Sequence, residues 1–239
     1  MKGRIKQFTS WSFTRYSDYR LCPLKAKLKH LDKVAEPPNA AMQRGAAIHK
    51  IAENYIKGWS AKMPPELWLY KALFNRLRKE LNFGSSALKR MTVEKTWAFT
   101  RDWQPTTWND WTNCRLRVKV DCAVVNGPLI EIWDWKTGKY RADEAATTYT
   151  EQLELYALAG FCIYPQTQTI KAKLIYLDAK AEFFMIFDRI DFSRFQKIWE
   201  KRTQPMLNDQ RFAPRPNQFC NWCHYRALNK EAGGGQCKY

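Results

Sequence analysis

Residues 114–138 read CRLRVKVDCAVVNGPLIEIWDWKTG, and this stretch decides the fold. Cys114, Leu116, Val118, Val120, Cys122 and Val124 alternate with Arg115, Arg117, Lys119, Asp121 and Ala123. Period-two alternation of this length predicts a half-buried strand. Asn126-Gly127-Pro128 is a turn signal, and Leu129 to Lys136 reads as the returning strand of a hairpin. Asp134 and Lys136 are two apart and so share one face of that strand. Asp121 stands on the facing strand, among its charged positions. Two carboxylates and one ammonium therefore converge. Adjacent carboxylates are costly unless a cation neutralises them, and hard oxygen donors favour Mg2+ or Mn2+. A neighbouring Lys can orient or deprotonate a water, or stabilise charge on a phosphate. Taken alone, an Asp-x-Lys pair is more often a surface salt bridge.

Outward from the hairpin, the first 90 residues read as helical. Ser12 or Thr14 can cap a helix through Tyr16, Tyr19 and Leu21, disturbed at Pro23 and resumed through Leu31. Pro37-Pro38 enforces a loop. Ala47, Ile48, Ile51, Ala52, Tyr55 and Ile56 then keep helical spacing between Gln43 and Trp59, and another helix starts after Pro64-Pro65 and runs through Trp68, Ala72, Leu73 and Leu77 to Leu81. Met91 to Phe99 predicts a strand before the hairpin. A helix over Thr148 to Phe161, strands over Ile170 to Leu177 and Phe183 to Ile190, and a helix over Phe192 to Leu207 follow it. The order predicts a mixed α/β domain over residues 1–239: a helical layer (1–90), a core (91–209) and a cysteine-bearing tail (210–239).

The net charge of +17 is concentrated early, with +8 in residues 1–60, +6 in residues 61–140 and −2 in residues 141–190. Such an excess points to a polyanionic partner, with nucleic acid the usual one. A hydrophobic content of 45% excludes disorder for most of the chain. The longest apolar run, Tyr156 to Tyr164, is far short of the roughly 20 residues that cross a bilayer, so no membrane partner is expected. The first residues carry no secretory pattern, and the expected compartment is the cytoplasm, that of the host if a virus encodes the chain. Of seven cysteines, Cys114, Cys122 and Cys162 lie in apolar patterns and read as buried. Cys220-Asn221-Trp222-Cys223 has the spacing of a metal site.

The chain resembles the PD-(D/E)XK nuclease superfamily, in particular its RecB-like exonuclease branch, which includes nucleases of CRISPR adaptation. The matching residues stand in the family's order. Cys22-Pro23 follows an aromatic-rich first helix, and Gly45-Ala46-Ala47-Ile48-His49 is similar to the branch's Gly-x-x-x-His helix. Val120-Asp121 and Ile132 to Gly138 resemble its two strands, including the Lys-Thr-Gly ending. Gln152 and Tyr156 resemble its Gln-x-x-x-Tyr helix, and Cys220, Cys223 and Cys237 its cysteine tail. Two positions depart from the pattern. Val118 stands where the family often has Gly, and Cys223 and Cys237 are further apart than the family's last two cysteines usually are.

The resemblance implies a restriction-endonuclease-like mixed sheet flanked by helices. It also implies a metal-dependent DNA exonuclease acting in recombination, repair or phage DNA processing. His49, Asp121 and Asp134 would be ligands to Mg2+ or Mn2+, with the main-chain carbonyl of Trp135 completing the shell. Lys136 would act on the water or the scissile phosphate. Gln152 and Tyr156, one helical turn apart, would hold the DNA backbone or support Lys136. Glu94 can approach from the first strand, although its spacing does not require it. Cys22, Cys220, Cys223 and Cys237 would bind a 4Fe-4S iron-sulfur cluster, with Zn2+ the alternative that the spacing alone favours. No P-loop is present, so a cooperating helicase or recombination protein is expected to be a separate chain. The alternative function is a catalytically inactive DNA-binding module with a structural metal or iron-sulfur site. Degenerate copies typically lose an acidic residue or the Lys, and all three are here.

Overall fold

The computed structural model describes residues 6–83 and 89–239. The chain folds around a six-stranded sheet in the order β2-β1-β3-β4-β5-β6. Its strands are β1 (Lys89–Phe99), β2 (Pro105–Thr106), β3 (Leu116–Asn126), β4 (Leu129–Lys136), β5 (Thr169–Tyr176) and β6 (Ala181–Asp188). All neighbours are antiparallel except β4 and β5, which run parallel from Leu129↔Thr169 to Lys136↔Tyr176. A parallel pair needs a crossover. Helix α5 (Thr150–Ile163) supplies it, entered through a wide turn at Ala145–Tyr149. Gly160 lets α5 lie close on the sheet, because a Cβ there would stand 2.8 Å from Ile170 Cδ1.

The N-terminal helices divide over the two faces of the sheet. Helices α1 (Phe13–Leu21) and α2 (Pro23–His30) join α5 and α6 (Phe192–Asn208) on one side, where Tyr16, Ala26, Leu158 and Trp199 share a core with Val118, Ile132 and Leu174. Helices α3 (Ala40–Ile56) and α4 (Lys71–Phe83) cover the other, where Ile48, Ile56 and Phe74 pack with Cys122, Trp133 and Trp135. Local signals set the helix ends. Ser12 caps α1 by accepting from the Arg15 N–H, and Pro23 opens α2 at the first turn, where its missing N–H costs nothing. Asn39 caps α3 by accepting from the Met42 N–H.

Two expectations require correction. Strand β3 is not half-buried: from Leu116 to Val125 every residue but Lys119 is buried, Arg117, Asp121 and Ala123 included. It lies inside a sheet covered on both faces, so Lys119 alone among these residues reaches water. Strand β2 was not anticipated, since two residues are too few to carry a period. The remaining elements lie within a few residues of their expected positions.

One irregularity shapes the centre. Positions two apart on a regular strand share a face. Yet Val118 and Val120 pack into the first core while Cys122 and Val124 pack into the second. Across the ladder, Trp97 and Phe99 lie on the first side while Met91 and Val93 lie on the second. Both strands therefore turn over at the same row. That row is Glu94 and Asp121, unpaired between Val93↔Cys122 and Lys95↔Val120. Glu94 holds φ at 54°, a left-handed conformation inside a strand. Such strain costs on the order of 1–3 kcal/mol and collects at functional sites.

Candidate active site

The site forms where β3 and β4 part. Their ladder ends at Cys122↔Trp133, and beyond it the Asp121 side chain takes the place of a backbone acceptor: Oδ2 receives the Trp135 N–H at 2.7 Å. Asp121 and Asp134 are only 4% and 5% exposed. From the second-core side, α3 delivers His49, whose Nδ1 lies 3.0 Å from Asp121 Oδ1 and 3.8 Å from Glu94 Oε1. From the opposite side, α5 delivers Gln152 and Tyr156, one turn apart. Tyr156 donates its hydroxyl to Asp134 Oδ1 at 2.5 Å, and Gln152 Nε2 donates to the Tyr156 oxygen at 2.7 Å and to Asp134 Oδ1 at 3.3 Å. Lys136 Nζ stands 2.6 Å from Asp134 Oδ2 as an ion pair. Apart from that ion pair, Oδ2 has no hydrogen-bond partner.

Close packing of α3 makes this reach possible. A Cβ on Gly45 would stand 3.3 Å from Thr137 Oγ1, so even a methyl at that position would crowd the turn after β4. Arg44, next to it, makes a bidentate ion pair with Asp178 in the β5–β6 turn, both bonds at 2.7 Å, and Asp178 also accepts the Gly138 N–H at 2.6 Å. The start of α3 is thus tied to both turns beside the site.

The electrostatics are those of three carboxylates crowded together, each with one cationic neighbour: Asp121 with His49, Glu94 with Lys119 and Asp134 with Lys136. Burial, and then the neighbouring Asp134, push the Asp121 carboxyl up to about 6, against the His49 contact that lowers it. Burial also disfavours the His49 imidazolium, but the Asp121 and Glu94 carboxylates outweigh it and raise His49 to about 10. Glu94 is held below the usual range: burial works against its ionisation, and His49 and Lys119 overcome it. Burial and Asp134 push the Tyr156 hydroxyl far up, so it stays a donor. The ligand atoms of His49, Glu94 and Asp121 all lie within 4.8 Å of one another. Glu94 Oε1 and Asp134 Oδ2 are buried without hydrogen-bond partners. An imidazole nitrogen and carboxylate oxygens, with Glu94 Oε1 buried and without a hydrogen bond, fit a hard divalent cation.

All the nuclease-type residues read from the sequence therefore meet in one place. Asp134 joins them from the α5 side, outside the tightest donor group, and Glu94 enters that group. The period of β1 could not reveal Glu94, because the left-handed turn that aims it breaks the period.

The four cysteines line a second, apolar pocket of about 220 Å3. Cys22 occupies the break between α1 and α2, Cys220 lies within a short 3-10 turn (Gln218–Trp222) that Cys223 ends, and Cys237 bridges back to Arg226. The tail reaches the first helix through Asn217 Nδ2, which donates to the Leu21 carbonyl at 3.2 Å. The N–H groups of Arg215 and Asn217 point at Cys22 Sγ and Cys220 Sγ, at 3.4 and 3.3 Å. Burial raises the Cys223 thiol, and the nearby Cys22 and Cys237 add to the rise. No three of the four sulfurs lie mutually within 4.8 Å.

Against known proteins, the model of the PD-(D/E)XK nuclease superfamily matches residues 10–228. This range takes in every residue of the carboxylate site and leaves Cys237 outside. No curated protein matches. Among solved structures, "Putative exonuclease" from Eubacterium rectale is similar at 10% identity and a TM-score of 0.51, with 90% of this chain and 87% of that one covered. SSO0001 aligns at 15% identity over 93% of this chain and 87% of its own, with a TM-score of 0.46.

Proposed function

From the premise that this chain belongs to the PD-(D/E)XK nuclease superfamily, with its restriction-endonuclease-like mixed sheet, we propose that it is a Mg2+- or Mn2+-dependent deoxyribonuclease that hydrolyses phosphodiester bonds from DNA ends. The observation that carries this reading is the donor group His49–Glu94–Asp121 facing the Asp134–Lys136 pair. Attack from ends follows the resemblance to the RecB-like branch. A role in recombination, repair or phage DNA processing, with a separate helicase as partner, belongs to the same reading.

His49, Glu94 and Asp121 would hold the divalent ion, with Asp134 and the Trp135 carbonyl reaching it from β4. When bound, the ion supplies an activated water and neutralises charge on the phosphate. Asp134 is fixed through Oδ1 by Tyr156 and Gln152, which leaves Oδ2 turned toward Lys136. Lys136 is thereby held where its ammonium can orient the attacking water or stabilise the phosphate oxygens. The high Tyr156 pKa keeps its proton on the hydroxyl, so it orients Asp134 and takes no part as a base. Basic side chains of the first 140 residues would hold the strand by its phosphates. The cysteine pocket would hold a 4Fe-4S cluster. Four thiols line it and two backbone N–H groups already face sulfur.

The test is end-labelled linear, circular and single-stranded DNA with Mg2+ or Mn2+. Linear substrates should be degraded only with metal. Asp121→Ala, Asp134→Ala and Lys136→Ala should each drop cleavage to background while the circular dichroism of the fold is retained. Wild-type rates in all three variants would remove this site from the mechanism.

A further inference from the structure

Beside the carboxylate site, the loop before β3 holds two tryptophans in the open: Trp108 is 38% exposed and Trp111 77%. They are not loosely placed. Asp110 between them fastens the loop, accepting the Thr106 hydroxyl at 2.7 Å and the Asn113 N–H at 2.8 Å. Arg117 of β3, itself only 8% exposed, lies under both rings, with its guanidinium carbon 5.7 Å from the Trp108 centroid and 4.9 Å from that of Trp111. It also donates to the Trp108 carbonyl and to Ser10 Oγ, at 3.0 and 2.9 Å. A cation spent on aromatic faces and loop carbonyls is a device for holding two indoles in position while water still reaches them.

Trp108 forms one wall of a pocket of about 230 Å3. Phe13, Arg117 and Lys119 line it too, together with Gln152 and Tyr156. Those last two side chains also hydrogen-bond Asp134. One layer of side chains thus separates an aromatic, cation-edged pocket from the place where the phosphate would react.

We infer that Trp108 and Trp111 are a stacking platform for unpaired bases and that this pocket takes one nucleobase next to the scissile phosphate. The substrate class is then a single strand or the frayed end of a duplex, because a paired base offers no free face to an indole. Every base has a π-face, so the platform is indifferent to sequence. The inference rests on the nuclease reading above and adds which form of DNA the site accepts.

The experiment titrates a short fluorescein-labelled oligothymidylate, and a blunt closed hairpin of equal charge, with metal withheld. Trp111→Ala and Trp108→Ala should each weaken oligothymidylate binding about five- to 150-fold, the range of one lost base stack. Hairpin binding should change less than about twofold, and Trp108→Phe, which keeps a flat face, should retain most of the wild-type affinity. Trp111 is a surface residue, so its variant tests the platform without disturbing the core. Unchanged oligothymidylate affinity in Trp111→Ala and Trp108→Ala, or equal losses on both probes, would overturn the platform even if the wild type cleaves DNA. Conversely, wild-type protein that cleaves nothing with Mg2+ or Mn2+ while the selective binding losses persist would sink the nuclease reading and uphold the platform.

Discussion

His49 Nδ1 lies 3.0 Å from Asp121 Oδ1, so a helix on one face of the sheet and a central strand meet at a single pair of atoms. Glu94 reaches the same nitrogen from 3.8 Å, carried there by its left-handed backbone. Without metal, the proton on His49 plays the part of the cation. Calorimetric titration with Mn2+ should therefore find His49→Ala and Glu94→Gln each weakened on the order of tenfold or more, a loss of the size known for perturbed metal sites. DNA binding without metal should stay nearly as in the wild type. Unchanged Mn2+ affinity would return the altered residue to a structural role.

Gly45 sets how closely α3 approaches the turn after β4, because its Cβ would meet Thr137 Oγ1 at 3.3 Å. Gly45→Val adds more bulk than the gap holds and should move His49 off the site, lowering Mn2+ affinity and cleavage together. Thr137→Ala removes the obstructing oxygen, so the double variant should recover part of both. A Gly45→Val protein with full affinity would show that the helix yields without consequence.

The residues behind these two predictions were legible to different degrees. Asp134 and Lys136 were readable because β4 keeps its faces to its end, with Ile130 and Ile132 in the first core and Trp133 and Trp135 in the second, so residues two apart stay on one face. Gly45 and His49 were readable only by resemblance, since a Gly and a His one turn apart on a helix have many ordinary uses. Glu94 and the turnover of β3 at Asp121 were hidden for one reason: alternation rules assume that a strand keeps its faces, and these two strands exchange theirs at the site. Trp108 and Trp111 sit in a loop, where no periodicity marks a side chain as exposed. Arg117 read as a solvent-facing position of a half-buried strand and is in truth buried beneath them.

Asp18 on α1 gathers positive charge from α2: it faces His30 Nε2 at 2.8 Å, Lys29 at 3.3 Å and Lys25 at 3.9 Å. Burial alone would raise its carboxyl, but the His30 hydrogen bond and the two lysines outweigh this and hold it below the ordinary 3.8. A depressed acid stabilises the fold fully above its unfolded pKa and loses that contribution as pH falls through the folded one. Thermal melts should thus show an acid loss below about pH 4 that Asp18→Asn flattens. The same variant should be less stable at pH 7 by about 1.5–3 kcal/mol, the range for hydrogen bonds to charged groups. Parallel curves for both proteins would exclude Asp18 as the source.

Cys22 lies at the break between α1 and α2, and the tail that brings Cys220, Cys223 and Cys237 to the same pocket is almost two hundred residues further along the chain. A cluster joining them would close that long loop, which is where a cross-link restricts the unfolded chain most. Its expected role is a clasp holding the first helix to the tail, with no electron transfer needed for hydrolysis. Anaerobically purified protein should be brown and carry iron and acid-labile sulfide near four each per chain, the stoichiometry of a 4Fe-4S cluster. Cys22→Ala should lose the colour and lower the melting temperature, while Cys162→Ala, whose thiol lies away from the pocket, should keep the colour. Thiolates must be deprotonated to bind, and burial raises the Cys223 thiol, so metal uptake should also fall as the pH is lowered. Colourless protein with one Zn2+ per chain would replace the cluster with zinc.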